Sequence, residues 1–239
     1  MFKKVILGAA AVCVALLGAI GFAHTAPGRP LLRVLGPMLG MGHAHGGSGA
    51  CPFGFDVAAS PADKEAARAR FAARHRGEGA PAARPALGFK LDHTSRAEVE
   101  AWAARSGLAC HAPRVGAELV CADVPAAALP AAASGAAPLI EELWFSFGGQ
   151  GALTSLVAIR KEKRPEPIEA AFRAAEAFLS REAGPPAQAS GDASSAALAA
   201  GLLRQASVEY RFRDYYAQAR ASNMGDGFLL TEEYRSLPN

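Results

Sequence analysis

Two segments of the chain keep a strict period of two. Leu139, Glu141, Leu143, Phe145 and Phe147 alternate with Ile140, Glu142, Trp144 and Ser146. Leu153, Ser155, Val157 and Ile159 alternate with Thr154, Leu156, Ala158 and Arg160. Between them lies Gly148-Gly149-Gln150-Gly151, which supplies the positive φ that a tight reversal needs, so 139–160 reads as a β-hairpin. A second hairpin closes the chain. Val208, Tyr210 and Phe212 alternate with Glu209, Arg211 and Arg213, and Phe228, Leu230 and Tyr234 share one side of the return strand after a turn at 223–227.

Helical spacing appears elsewhere. Ile168, Ala171, Phe172, Ala175, Phe178 and Leu179 recur every three or four residues, and Gly184, Pro185 and Pro186 end that helix. A shorter helix over 96–106 starts at a capping box, Ser95 with Glu98, and turns Val99, Trp102 and Ala103 inward before Gly107. A poorer helix over 192–204 takes Asp192 as its cap, and two short strands are expected around 108–112 and 117–123. The low-complexity stretch 125–138 reads as a connection.

Residues 89–239 therefore predict an α+β fold, an antiparallel sheet with helices packed on one face. The order also reads as two helix-plus-hairpin units, 89–164 and 165–239. It resembles the small extracytoplasmic modules of barrel-assembly lipoproteins and beta-lactamase inhibitor proteins. That resemblance lies in element order and assigns no residue a role. Upstream, 24–88 reads as a Gly/Pro/Ala-rich linker carrying one weak helix over 60–76. Ser60, Pro61 and Asp63 start this helix well, but Ala66, Ala67 and Phe71 make a thin apolar face that is expected to pack weakly if at all.

The N-terminus changes the picture most. Lys3 and Lys4 precede an uncharged run of 18 residues from Val5 to Phe22, and Gly21 and Ala23 hold the small-residue spacing of a signal-peptidase site. Residues 1–23 read as a signal peptide or an N-terminal membrane anchor, and both readings place the rest outside the cytoplasm, periplasmic or secreted. Charge adds little: 25 Lys+Arg against 22 Asp+Glu argues against nucleic acid as a partner. The 51% hydrophobic content includes 56 alanines, so the core is smaller than that figure suggests.

Four cysteines supply the candidate chemistry. Cys13 sits in the apolar run. Cys110 and Cys121 fall on the two short strands and are expected to form a disulfide. Cys51 is left with His43 and His45 in a glycine-rich stretch. Two imidazoles and a thiolate suit zinc or copper, and the same stretch also reads as plain linker with incidental histidines. No nucleophile elbow, phosphate loop or zinc-protease motif occurs, and no catalytic residue is assigned. A site assembled from His93 and Asp214 has no local support. Glu141-Glu142 and Glu232-Glu233 split between strand faces, and Arg160–Arg164 reads as a solvated strand end.

All four tyrosines lie in the last hairpin, among Arg211, Arg213, Arg220 and Arg235. Tyrosine and arginine dominate binding hot spots, so Arg211, Arg213 and Tyr215 are expected on an exposed face that meets a partner. The sequence thus predicts an exported cell-envelope binding module without catalytic activity or cofactor. Its partner is expected to be another envelope protein, with membrane contact only through residues 5–22 if they are retained. The alternative is an extracytoplasmic copper- or zinc-binding protein that uses His43, His45 and Cys51.

Overall fold

The structure is a computed structural model and describes residues 60–112, 119–130 and 139–238. In chain order the elements are α1 (Pro61–His75), α2 (Arg96–Arg105), β1 (Cys110–His111), β2 (Leu119–Val124), β3 (Ile140–Phe147), β4 (Leu153–Glu162), α3 (Pro165–Glu182), β5 (Gln188–Ser190), α4 (Ser195–Ala199), β6 (Gln205–Arg211), β7 (Tyr215–Asn223) and β8 (Phe228–Ser236). The strands form one eight-stranded sheet in the order β1-β2-β3-β4-β8-β7-β6-β5. Every neighbouring pair is antiparallel. The fold is α+β. Each half is a meander of four strands, and the halves join where β4 pairs with β8 from Ser155–Arg235 to Glu162–Phe228.

Pleating decides which side chains meet the helices. Leu143, Phe145, Leu156, Ala158, Val208, Leu230 and Tyr234 point to one face and are buried with Val99, Trp102, Phe172 and Leu179 of α2 and α3. Burying a side chain such as Leu179 contributes about 1.5–3 kcal/mol. Over α2, the rings of Phe89, Trp102 and Phe145 meet edge to face, with Phe89 5.0 Å from Trp102 and 5.2 Å from Phe145. Under α3, Ala217, Ala219 and Ala221 of β7 let the helix come close to the sheet. Tyr210 is anchored there, its hydroxyl 3.0 Å from the Glu176 carbonyl it donates to.

Four features differ from the sequence reading. The helix expected over 192–204 under an Asp192 cap is only Ser195–Ala199, and Ser194 caps it. The other three concern the course and packing of the chain. First, the last hairpin is a three-stranded meander. The chain reverses between β6 and β7 at Phe212–Asp214, where the Phe212 N–H donates to the Tyr215 carbonyl at 2.9 Å. That turn contains no glycine, which hid it. Second, 77–88 is docked chain rather than linker. Ala86 and Leu87 are fully buried, and the Ala82 N–H donates to the Ala183 carbonyl. Gly77 donates to the Phe212 carbonyl, and a Cβ there would stand 2.1 Å from the Arg211 oxygen, so only glycine fits.

Third, α1 packs. Ser60 caps it as expected, and Asp63 returns the bond, so the two form a reciprocal capping box. It lies across one end of the sheet face opposite α2 and α3, where Ala72 is buried against Tyr216 and Leu237 and Phe71 packs beside them. The thin apolar stripe is enough because Phe71 also stacks on His75 and meets the Tyr216 ring edge-on at 5.1 Å. At the opposite edge of the sheet, Cys110 and Cys121 are register partners and form the predicted disulfide. Closing a loop of that size contributes about 2–3 kcal/mol.

Candidate functional site

With α2, α3 and α4 on one side, the other side of the sheet is the open face. Alternation places Glu142, Trp144 and Ser146 of β3 there, beside Ser155, Val157 and Ile159 of β4. Register lines these residues into rows that run across both halves. One row reads Val120, Trp144, Val157, Glu233, Gln218, Glu209. A second reads Glu142, Ile159, Thr231, Arg220, and a third Ser155, Arg235, Tyr216, Arg211. On β3 and β4 the face is apolar at its centre, with Trp144, Val157 and Ile159 half-exposed. On β6 to β8 it is charged.

The charged part repeats one device on three neighbouring strands. An acceptor is followed two residues later by an arginine on the same face. Arg211 Nε donates to Glu209 Oε2 at 2.9 Å on β6, Arg220 to the Gln218 amide oxygen at 3.1 Å on β7, and Arg235 to Glu233 on β8. Gln218 Nε2 also donates to Glu209 Oε1 at 3.1 Å, which ties two strands together. Trp144 Nε1 donates to Glu142 Oε2 at 2.7 Å on the apolar side. Half-exposed ion pairs of this kind contribute about 0–1 kcal/mol each, so the ladder is not what holds the fold. It fixes the position of guanidinium groups that would otherwise be mobile.

At one end α1 covers this face. The Arg235 guanidinium lies 4.2 Å from the Phe71 ring centroid, a cation–π contact. Tyr216 is enclosed beneath Phe71 and His75. Burial, and then the carboxylates of Glu233 and Glu209, push its phenol well above the ordinary tyrosine value.

The residues singled out in the sequence divide as follows. Arg211 is on the open face. Arg213 is exposed at the β6–β7 turn, where it donates to the Glu78 carbonyl at 3.3 Å, and so stands at the rim. Tyr215 is not on the exposed face. It is fully buried under the helices, its hydroxyl donating to the Pro85 carbonyl at 2.6 Å, and burial pushes its phenol well up. The cause is the turn at Phe212–Asp214, which resets the alternation and gives the open face to Tyr216. Asp214 pairs with Arg84, Nη1 to Oδ2 3.5 Å, and His93 is exposed. His43, His45, Cys51 and residues 1–23 lie outside the described residues. Among the described residues no group of three His, Cys, Asp or Glu is placed to hold a metal, and no helix is long and apolar enough to cross a membrane.

Two polar clusters escaped the sequence reading. Arg160 is not solvated: it is 1% exposed, on the helix-covered face, with Nε 2.9 Å from Glu232 Oε1. Glu232 is 5% exposed and takes the Tyr234 hydroxyl on Oε2 at 2.7 Å. The second cluster clasps the N-terminal arm. Asp92 receives Ser236 Oγ at 2.6 Å, Arg84 at 2.5 Å and Arg68 at 3.3 Å. Burial raises the Asp92 pKa, but the Ser236 hydrogen bond and the two guanidinium groups outweigh it and hold the carboxyl below its ordinary value. Spacing carried no signal for either cluster, because each depends on a partner from a distant part of the chain, Glu232 for Arg160 and Ser236 for Asp92.

Compared with protein-family models, with curated proteins and with solved structures, the chain finds no match. The likeness in element order to inhibitor and assembly modules therefore transfers no function, and the reading rests on the sheet itself.

Proposed function

We propose that the protein is an exported binding module that captures another envelope protein on the open face of its sheet. The observation that carries this reading is the division of that face. A half-exposed Trp144 with Val157 and Ile159 lies beside a ladder of positioned arginines, Arg211, Arg220 and Arg235. Tryptophan and arginine are enriched at the energetic centres of protein interfaces, and groups held in place beforehand lose less entropy on binding. A rigid eight-stranded sheet closed on its other side by helices suits that role. The Cys110–Cys121 disulfide is compatible with an oxidising compartment. The N-terminal apolar run supports delivery there, as a periplasmic, secreted or membrane-anchored protein. The chemistry is recognition without turnover.

Affinity capture from envelope extract tests it. The full chain is compared with Trp144→Ala and with Arg211→Ala combined with Arg220→Ala. These side chains are half-exposed or exposed, so the variants are expected to fold, and to lose the captured protein by about tenfold or more. Recovery of the same protein at the same yield by all three would remove the case for this face.

A further inference from the structure

The charges on the strands of the open face are not all compensated in the same way. Arg211 is bonded to Glu209, Arg235 to Glu233, and Lys161 to Asp226 of the β7–β8 turn at 2.8 Å. Glu142 and Arg220 are held by neutral groups instead. Glu142 accepts from the Trp144 indole and Arg220 donates to the Gln218 amide, so both side chains are positioned while their charges stay uncompensated. Among the described residues neither forms an ion pair. The surroundings keep them so. The carboxylates diagonal to Arg220, Glu209 and Glu233, are engaged by Arg211 and Arg235. Lys161, diagonal to Glu142, is engaged by Asp226. Asp123 and Glu141 are exposed beside Glu142 and add negative charge there. Arg220 is exposed and Glu142 half-exposed, so both are open to a second molecule.

Register sets the distance between the two. Glu142, Ile159, Thr231 and Arg220 follow one another across β3, β4, β8 and β7. Three steps of about 4.8 Å between strands separate the ions by about 14 Å at the backbone. Half-exposed Ile159 and Thr231 lie between them, and α1 lies away from this row, over Tyr216. An extended chain advances about 3.4 Å per residue and shows alternate side chains on one side, so its positions i, i+2 and i+4 span about the same 14 Å. A helix covers that span in about nine residues, which turns the second side chain to its opposite side.

We infer that the open face takes an extended segment that crosses its strands, with an acidic side chain on Arg220, an apolar one over Ile159 and a basic one on Glu142 at alternate positions. The inference rests on the open face being the binding face, and adds the chemistry of what binds there. Opposite charge at each end adds attraction, and like charge is excluded. Selection of random dodecapeptides displayed on phage against the immobilised full chain tests it. Peptides that read acidic-x-apolar-x-basic, in either chain direction, are expected to be enriched about tenfold over the unselected library. Arg220→Glu is expected to lower the acidic preference about tenfold and to bring in a basic one. Glu142→Gln keeps an acceptor for Trp144 and is expected to remove the basic preference alone. Failure of the unaltered chain to enrich this pattern would overturn the inference. Peptides lost on Trp144→Ala but unmoved by either charge change would also overturn it, and would leave the open face as the binding face. Peptides retained by all three variants would remove the open face itself. Association of the chain with itself, lost on Arg220→Glu, would make a second copy the occupant and overturn the inference in that way.

Discussion

Glu232 and Glu233 are adjacent in the chain and lie on opposite faces of β8. Glu232 is enclosed under the helices, with one oxygen on Arg160 and the other on Tyr234. Glu233 is on the open face, bonded to Arg235 with both side chains partly in solvent. The two pairs use the same chemistry for different ends. In the enclosed pair each ion has given up water, so its partner is indispensable even though the pair as a whole contributes little net stability. In the open pair neither ion is fully dehydrated, so the bond orients the guanidinium at small cost and leaves it available to a second protein. One face of the sheet commits its polar groups to the fold, and the other leaves them at the surface, where the proposed partner would meet them.

Changing glutamate to glutamine at the two positions tests that contrast directly. Glu232→Gln keeps the shape and removes the charge facing Arg160. The expected loss is about 3–5 kcal/mol, read as a lowered urea midpoint at unchanged slope. Replacing both partners, Arg160→Met with Glu232→Leu, is expected to recover most of it, because an apolar pair of similar volume leaves no buried charge. A loss below about 1 kcal/mol for Glu232→Gln would mean that Arg160 behaves as a surface ion, and the distinction between the faces would fail.

The Asp92 clasp is intermediate between the two faces, since it is partly exposed and joins the N-terminal arm to the end of β8. Its folded-state pKa lies below the ordinary carboxylate value, so the unfolded chain takes up a proton first as pH falls. The clasp therefore stabilises fully at neutral pH and weakens as pH drops below the ordinary carboxylate range and through the depressed value. Hydrogen exchange in α1 is expected to speed up over that acid window. Asp92→Asn is expected to cost about 1 kcal/mol at neutral pH, after allowance for solvent screening, and to abolish the acid response. Exchange in α1 with the same acid dependence in both proteins would separate the arm from Asp92.

Much of this arrangement was legible in the sequence where the signal was local. The β3–β4 hairpin, the cap at Ser60, the capping box at Ser95, α3 and the Cys110–Cys121 bridge each follow from residues within one element or in neighbouring strands. The β6–β7 reversal carried no local mark. Arg213-Asp214 makes the turn without glycine, and the tertiary bond from Leu237 to the Asp214 carbonyl helps to hold it. Missing that turn put Tyr215 on the wrong face, since one unrecognised reversal shifts every later side chain by a pleat. Arg160 was misread for the opposite reason. Its neighbours Lys161 to Arg164 are charged and solvated, and only the pairing of β4 with β8 brings Glu232 to it. The i, i+2 repeat at 209–211, 218–220 and 233–235 was present in the sequence and became meaningful once register aligned the three strands.

The smallest expected effect sharpens the comparison most. Glu233→Gln makes the same chemical change as Glu232→Gln, one residue along the same strand. Arg235 keeps a neutral acceptor beside it and its contact with the Phe71 ring, so stability is expected to shift by no more than about 0.5–1 kcal/mol. Capture of the proposed envelope partner is the readout expected to move, because an arginine held less firmly loses more freedom on binding. A denaturation midpoint close to that of the unaltered protein, together with weakened capture, would place the value of the open pair in recognition. A loss of stability as large as that of Glu232→Gln, with capture intact, would instead make both faces structural and leave the binding surface to be sought elsewhere.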